Sequence, residues 1–106
     1  MVTDLLLERL EQSVDYMLGI DLSLALVGLA RLGIRIADAS FLRALPRTLP
    51  EMDENHVANS IWALGKIGVK WDALSLEIRQ AISRSIERMC DKMTPYAVAS
   101  TIHGTF

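Results

Sequence analysis

The sequence predicts an all-α protein, an α-solenoid of about two and a half to three helix pairs. Three observations lead to this prediction: one segment recurs after 35 residues, a second recurs after 41, and the apolar positions follow a helical period without strand-like alternation. We expect antiparallel helix pairs stacked into a right-handed superhelix, in a single domain over residues 1–106.

The first repeat aligns Leu22–Ile34 with Val57–Val69, 35 residues later. Apolar residues fall on apolar residues, small ones on small ones, and Arg31 falls on Lys66. Self-similarity with a period of roughly 20–50 residues is the signature of solenoids and related arrays. The match therefore indicates two copies of one helix, which we name the A helix.

The second repeat aligns Met52–Ile61 with Met93–Ile102, 41 residues later. The segments between the A helices also correspond, because Phe41–Leu49 aligns with Ile82–Cys90 at the same offset. We name them B helices and divide the chain into a half unit at about 1–16 and units at about 17–51, 52–92 and 93–106. The last unit stops short, so we expect the chain to be part of a longer array.

The predicted helices follow the order B, A, B, A, B, A, with B helices at roughly 3–16, 38–49 and 73–91 and A helices at roughly 20–33, 53–68 and 94–106. Gly33 and Gly68 stand where a helix end favours positive φ. Asp53 and Thr94 are suitable N-caps. Pro46 is expected to kink or shorten the second B helix.

Composition restricts the function classes. The net charge of −2 and the pI of about 5.6 are not typical of a free-standing nucleic-acid binder. Cys90 is the single cysteine, which excludes an intramolecular disulfide, and we expect it to be a small buried apolar residue. With His56 and His103 as the two histidines, we predict no metal site. No catalytic constellation or apolar membrane span is visible, so we predict neither an enzyme nor a cofactor.

The segment Val57–Val69, followed by Trp71, resembles the repeat core of the octotricopeptide proteins. In these proteins a helix reads approximately Leu-Ala-Asn-x-x-Trp-Ala-Leu-Ala-Lys-Leu-Gly, and organellar proteins with a RAP domain carry similar repeats. The second unit matches closely. The other units depart at the positions of Asn59 and Trp62, where they carry Leu24 and Val27, and Ser100 and His103.

The resemblance implies a non-catalytic RNA-binding module in organellar RNA processing, stability or translation. It implies single-stranded RNA as partner and the mitochondrion or chloroplast as location, with a targeting peptide outside this chain. Tetratricopeptide repeats fit less well because no Tyr follows Trp62-Ala-Leu64-Gly65 at the required spacing. HEAT-like repeats remain an open alternative.

The candidate RNA-binding residues lie on the side of the A helices that we expect to be exposed. Amide and hydroxyl groups hydrogen-bond base edges, and Lys and Arg contact phosphates. The candidates are His56, Asn59, Ser60, Lys66, Arg31, Ser100 and Thr101. Other interpretations stay open: the hydroxyl residues are small packing residues, Asn59 is buried, and the two cations complement helix dipoles. Trp62 and Trp71 are expected in the core.

A second hypothesis is a protein-interaction scaffold or a structural subunit of a larger organellar assembly. Hydrophobic residues make up 51% of the chain, and its mean hydropathy is +0.27. Such a composition leaves apolar surface to be covered by a partner. We therefore expect protein partners, or self-association through the exposed ends of the array.

Overall fold

The structure is a computed structural model that describes residues 2–35 and 40–105. These residues contain no strand and form six α-helices: α1 Val2–Ser13, α2 Gly19–Arg31, α3 Leu45–Thr48, α4 Glu54–Lys66, α5 Leu76–Met89 and α6 Pro95–Thr105. Short 3₁₀ turns lie at Val14–Tyr16, Ser40–Ala44, Leu49–Glu51, Trp71–Ala73 and Cys90–Lys92. The all-α prediction is confirmed. The predicted start of the second B helix, at Asp38 and Ala39, and Phe106 lie outside the described residues.

The second B helix is divided into short pieces. In place of a helix over 38–49, the chain forms the 3₁₀ turn Ser40–Ala44, one turn of α-helix in α3, and the 3₁₀ turn Leu49–Glu51. Pro46 lies in the first turn of α3, and Pro50 lies in the turn that follows. A proline has no N–H to donate and its ring clashes with the preceding turn, so each one stops an α-helix from continuing. The prediction that Pro46 shortens this helix is confirmed.

The predicted N-caps form. The Asp53 carboxylate accepts a hydrogen bond from the His56 N–H at 2.8 Å, and the Thr94 hydroxyl accepts one from the Ala97 N–H at 3.1 Å. Each bond satisfies a backbone donor that has no partner within its helix. Pro95 is the first residue of α6, where the missing N–H costs nothing.

Both predicted glycine C-caps form as well. Gly33 has φ of 73° and Gly68 has φ of 88°, in the left-handed region that glycine enters without a steric penalty. After Gly68, the Val69 N–H reaches back to the Leu64 carbonyl at 3.0 Å, the hydrogen bond of a Schellman motif. Local sequence therefore determines where α2 and α4 end.

The A helices pack side by side: α2 packs against α4, and α4 packs against α6. On the side of the B segments, α3 packs against α5, and α1 contacts the Ser40–Ala44 turn. The core lies between these two sets of helices. Its fully buried side chains include Leu22, Leu26, Leu45, Leu49, Val57 and Ile82. Besides the stripe that faces the B segments, an A helix has two lateral faces, which we call its flanks. In α4 the neighbouring helices α2 and α6 cover both flanks.

Candidate interaction surface

The side of α4 that meets α2 consists of His56, Ser60 and Ala63 together with the C-cap residue Ile67, and we name it the packing face. At 100° per residue these positions form one stripe along the helix. The Ser23 hydroxyl of α2 donates to the His56 carbonyl at 3.2 Å, which places α2 on this stripe. Ser60, Ala63 and Ile67 are all buried. The prediction that Ser60 lies exposed is wrong, because α2 covers it.

The packing face recurs on α6 at Ala97 and Thr101, which are buried. Ser100, the equivalent of Asn59 in the next position along the helix from that face, is buried as well. The Thr101 hydroxyl donates to the Ala97 carbonyl at 2.8 Å, the local bond of a threonine turned back onto its own helix. The prediction that Ser100 and Thr101 are exposed is also wrong. They are small residues that allow α6 to approach α4 closely, which agrees with the alternative interpretation as packing residues.

On α2 the equivalent of the packing face is open. Ala25, Gly28 and Leu32 stand 35 residues before Ser60, Ala63 and Ile67. Gly28 and Leu32 are exposed and Ala25 is half-buried. They line a groove of about 320 Å³ between α1 and α2, together with Leu6, Leu10 and Met17. The same positions are thus covered in the second unit and uncovered in the first.

The remaining candidates lie on the outer ridge, which we define as Arg31, Asn59 and Lys66. Arg31 and Lys66 are exposed, and Asn59 is half-buried. The Lys66 ammonium lies 5.9 Å from the centre of the Trp62 ring, within range of a cation–π contact. Trp62 and Trp71 both pack against the core and remain partly accessible. Of the seven predicted contacts, three are buried, two cations and one amide lie on the outer ridge, and His56 lies apart from them.

His56 stands at the edge of the packing face, outside the outer ridge. Its side chain is half-buried, and its Nδ1 lies 3.1 Å from Oδ1 of Asp53, the N-cap of the same helix. This contact belongs to the first turn of α4. It holds the imidazole against the first turn of its own helix.

Cys90 is exposed, so the prediction of a buried cysteine is wrong. The residue begins the 3₁₀ turn at the end of α5. Its small size and apolar character suit a core position, but no described element packs over it. Burial depends on the neighbouring elements as well as on the residue type.

Sequence analysis missed a set of arginines that tie each B segment to the preceding one. The Arg43 guanidinium donates to Glu11 and to Asp15, and reaches the latter at 3.2 Å. The hydrogen bonds that Arg43 donates to Glu11 and then to Asp15 raise the pKa of Arg43 above its ordinary value. Arg47 donates to the Val14 and Met17 carbonyls, and Arg88 donates to the Leu49 and Pro50 carbonyls. Arg47 and Arg88 align with each other at the 41-residue offset, and this alignment could have indicated an equivalent structural role.

Within residues 2–35 and 40–105, no three histidine, cysteine or acidic side chains come together as a metal site would require. None of the helices in the same ranges has the length and apolar content needed to cross a membrane.

Comparison with known proteins returned no match, whether to a family model, a curated protein or a solved structure. The octotricopeptide resemblance rests on the residues quoted above and stays a prediction.

Proposed function

We propose that this chain is a non-catalytic stretch of α-solenoid, built as a right-handed superhelix of antiparallel helix pairs, and that it binds other proteins. One observation carries the proposal. The stripe that α4 buries against α2 is repeated on α2 as Ala25, Gly28 and Leu32, and there it lines an open apolar groove. A surface of this shape and chemistry suits a helix that lays an apolar stripe into it.

The charges and hydroxyl groups also favour a protein partner over RNA. Three of the seven predicted RNA contacts, Ser60, Ser100 and Thr101, are buried between A helices. The net charge of −2 opposes the accumulation of a polyanion. By contrast, two of the side chains that line the groove, Leu6 and Leu32, are exposed and apolar. Covering such a patch is favourable at roughly 25 cal/mol per Å² of apolar area.

The proposal can be tested with a peptide of the α4 sequence, because α4 already packs against an equivalent face within the chain. In the protein, α4 lies against the packing face of α6. A fluorescently labelled synthetic peptide of residues 53–69 should therefore enter the equivalent groove on α2. Fluorescence anisotropy during titration with the protein measures the affinity. We expect saturable binding that Gly28→Glu abolishes, because the added side chain occupies the groove.

Leu24→Glu is the matched control. It adds the same charge to the same helix, at an exposed position of α2 that does not line the groove. It should leave the peptide affinity within about twofold. Equal binding by the wild-type chain and the Gly28→Glu variant would refute a docking role for the groove.

Single-stranded RNA is a second candidate, supported by Arg31 and Lys66 at equivalent positions of α2 and α4, with Asn59 on the same helix as Lys66. The proposal would place the protein in organellar RNA metabolism, in the mitochondrion or chloroplast, as the octotricopeptide resemblance implies. An oligouridylate titration at low salt tests it. RNA binding that weakens with added salt, and weakens further in an Arg31→Glu/Lys66→Glu variant, would favour RNA over protein.

A further inference from the structure

The solvent side of α2 carries an apolar stripe that is separate from the groove. Ile20, Leu24 and Val27 follow one another at helical spacing, and Arg31 stands one turn further along. The Ile20 and Leu24 side chains are 47% and 63% exposed, and Val27 is half-buried. None of these three residues lines the groove between α1 and α2. The helix therefore presents a second apolar surface to solvent.

The equivalent stripe of α4 is polar and already partly engaged. It consists of Asn55, Asn59, Trp62 and Lys66, which stand 35 residues after the four positions on α2. Because α2 and α4 pack side by side, the two stripes are neighbours. The Lys66 ammonium lies 5.9 Å from the centre of the Trp62 ring, so a face of this indole meets a cation of its own helix.

Two positive charges stand at the same end of the two stripes. Arg31 belongs to the last turn of α2 and Lys66 to the last turn of α4, and both side chains are exposed. Neither forms an ion pair within residues 2–35 and 40–105. The surface thus joins apolar side chains to a cationic end that a carboxylate of a ligand would complement.

We propose that Ile20, Leu24, Val27, Arg31 and Lys66, which we name the A-helix surface, bind an acidic amphipathic helix of a partner protein. This helix lies antiparallel to α2. Its first turn, where the helix dipole favours acidic residues, reaches Arg31 and Lys66. The rise from Ile20 to Arg31 is about 16 Å at 1.5 Å per residue, so apolar side chains of the following turns cover the stripe.

The chemistry of the stripe favours a protein helix over RNA. Ile20, Leu24 and Val27 carry no side-chain donor or acceptor that could read a base edge. An apolar side chain covers them favourably, because it removes their surface from water. The net charge of −2 opposes a polyanion, whereas one acidic turn meets only the two local cations.

The test uses three synthetic peptides. The probe is a fluorescently labelled alanine and glutamine helix with glutamates in its first turn and a leucine stripe at helical spacing in the turns that follow. A second peptide has lysine in place of glutamate, and a third has alanine in place of leucine. Titration with the full chain should show saturable binding of the probe. Each of the other two should bind at least roughly tenfold more weakly, since one loses the charge pairing and the other the apolar contacts.

Serine variants of the full chain locate the apolar contact. Leu24→Ser should weaken binding of the probe at least about fivefold, because it removes an apolar side chain from the middle of the stripe. Leu76→Ser is the matched control, since Leu76 lies on α5 and is also 63% exposed. It should leave the affinity unchanged.

Charge variants locate the cationic end. Arg31→Gln combined with Lys66→Gln should weaken binding of the probe and reduce its salt dependence. Lys70→Gln combined with Lys92→Gln removes the same charge from exposed positions outside the A-helix surface and should change the affinity by no more than about twofold. Gly28→Glu, which blocks the groove, should not alter this binding, so the two surfaces are tested independently.

Four results would overturn the proposal. Two of them are equal binding of the glutamate and lysine peptides, and equal binding of the probe by the wild-type chain and the Leu24→Ser variant. Oligouridylate that binds more tightly than the probe and displaces it would identify RNA as the ligand of this surface. Self-association of the chain that Leu24→Ser abolishes would identify a second copy as the occupant.

Discussion

The Ser60 hydroxyl donates to the sulfur of Met52 at 3.6 Å, inside the contact between α2 and α4. Thr101 Oγ1 lies 3.7 Å from the sulfur of Met93, 41 residues further on, beside its shorter hydrogen bond to the Ala97 carbonyl. From the sequence, both hydroxyl groups were candidates for RNA contacts or for packing. The structure turns them towards the methionine that precedes their own helix. Polar residues on an A helix therefore serve the packing of neighbouring units.

Ser60 should not tolerate a charge. A Ser60→Glu variant places a carboxylate between α2 and α4, and we expect the free energy of unfolding to fall by about 3 kcal/mol or more. Asn59→Glu, one residue along the same helix and half-buried on the outer ridge, should cost no more than about 1 kcal/mol. Urea titration followed by circular dichroism measures both. Equal losses would contradict the assignment of Ser60 to the packing face.

The two glycines of α2 should respond oppositely to alanine. A Cβ on Gly28 meets no atom within 4 Å, and Gly28→Ala should stabilise the chain by about 0.5–1 kcal/mol through higher helix propensity. A Cβ on Gly19 would lie 2.8 Å from the Thr48 carbonyl oxygen, so Gly19→Ala must displace backbone. We expect it to cost about 1–3 kcal/mol. The midpoint temperatures of thermal unfolding of the two variants test both expectations. If both variants were stabilised, the close contact between Gly19 and the Thr48 carbonyl would be contradicted.

Arg88 should contribute more to stability than its neighbour on α5. Arg88→Met removes the hydrogen bonds to the Leu49 and Pro50 carbonyls, and we expect a loss of about 1 kcal/mol after allowance for its exposure. Arg84→Met, one helical turn earlier, removes an exposed guanidinium that bonds no described carbonyl and should be nearly neutral. Urea unfolding of both variants measures the difference: at equal dependence of the unfolding free energy on urea, a lower midpoint means lower stability. Equal midpoints for the two variants would show that the arginine contact carries no stability.

Cys90 should react in the folded state. Because the thiol is exposed, a chromogenic aromatic disulfide should modify it at a rate within about tenfold of the urea-unfolded chain. The matched comparison is a Cys90→Ser/Ala63→Cys variant, whose thiol lies on the buried packing face and should react only on unfolding. Slow modification of Cys90, at the rate of global unfolding, would contradict the exposed position.

The sequence by itself determined where the A helices begin and end, because the caps that fix these limits depend on local chemistry. Asp53 and Thr94 cap their helices through bonds three residues away. Gly68 ends α4 because positive φ is available to glycine, and Pro46 breaks its segment through its own ring. These effects act within a few residues, so a pattern along the chain is sufficient to predict them.

Only the tertiary structure decided which flanks of the helices are covered. Ala25 and Ser60 are equivalent in sequence, yet α2 buries Ser60 while Ala25 lines an open groove. Val14 and Cys90 differ in the same way at two turns of the same geometry. Helical periodicity predicts the stripe that faces the core. The burial of a flank depends on whether another helix lies beside it, and that is a property of long-range packing rather than of the residue.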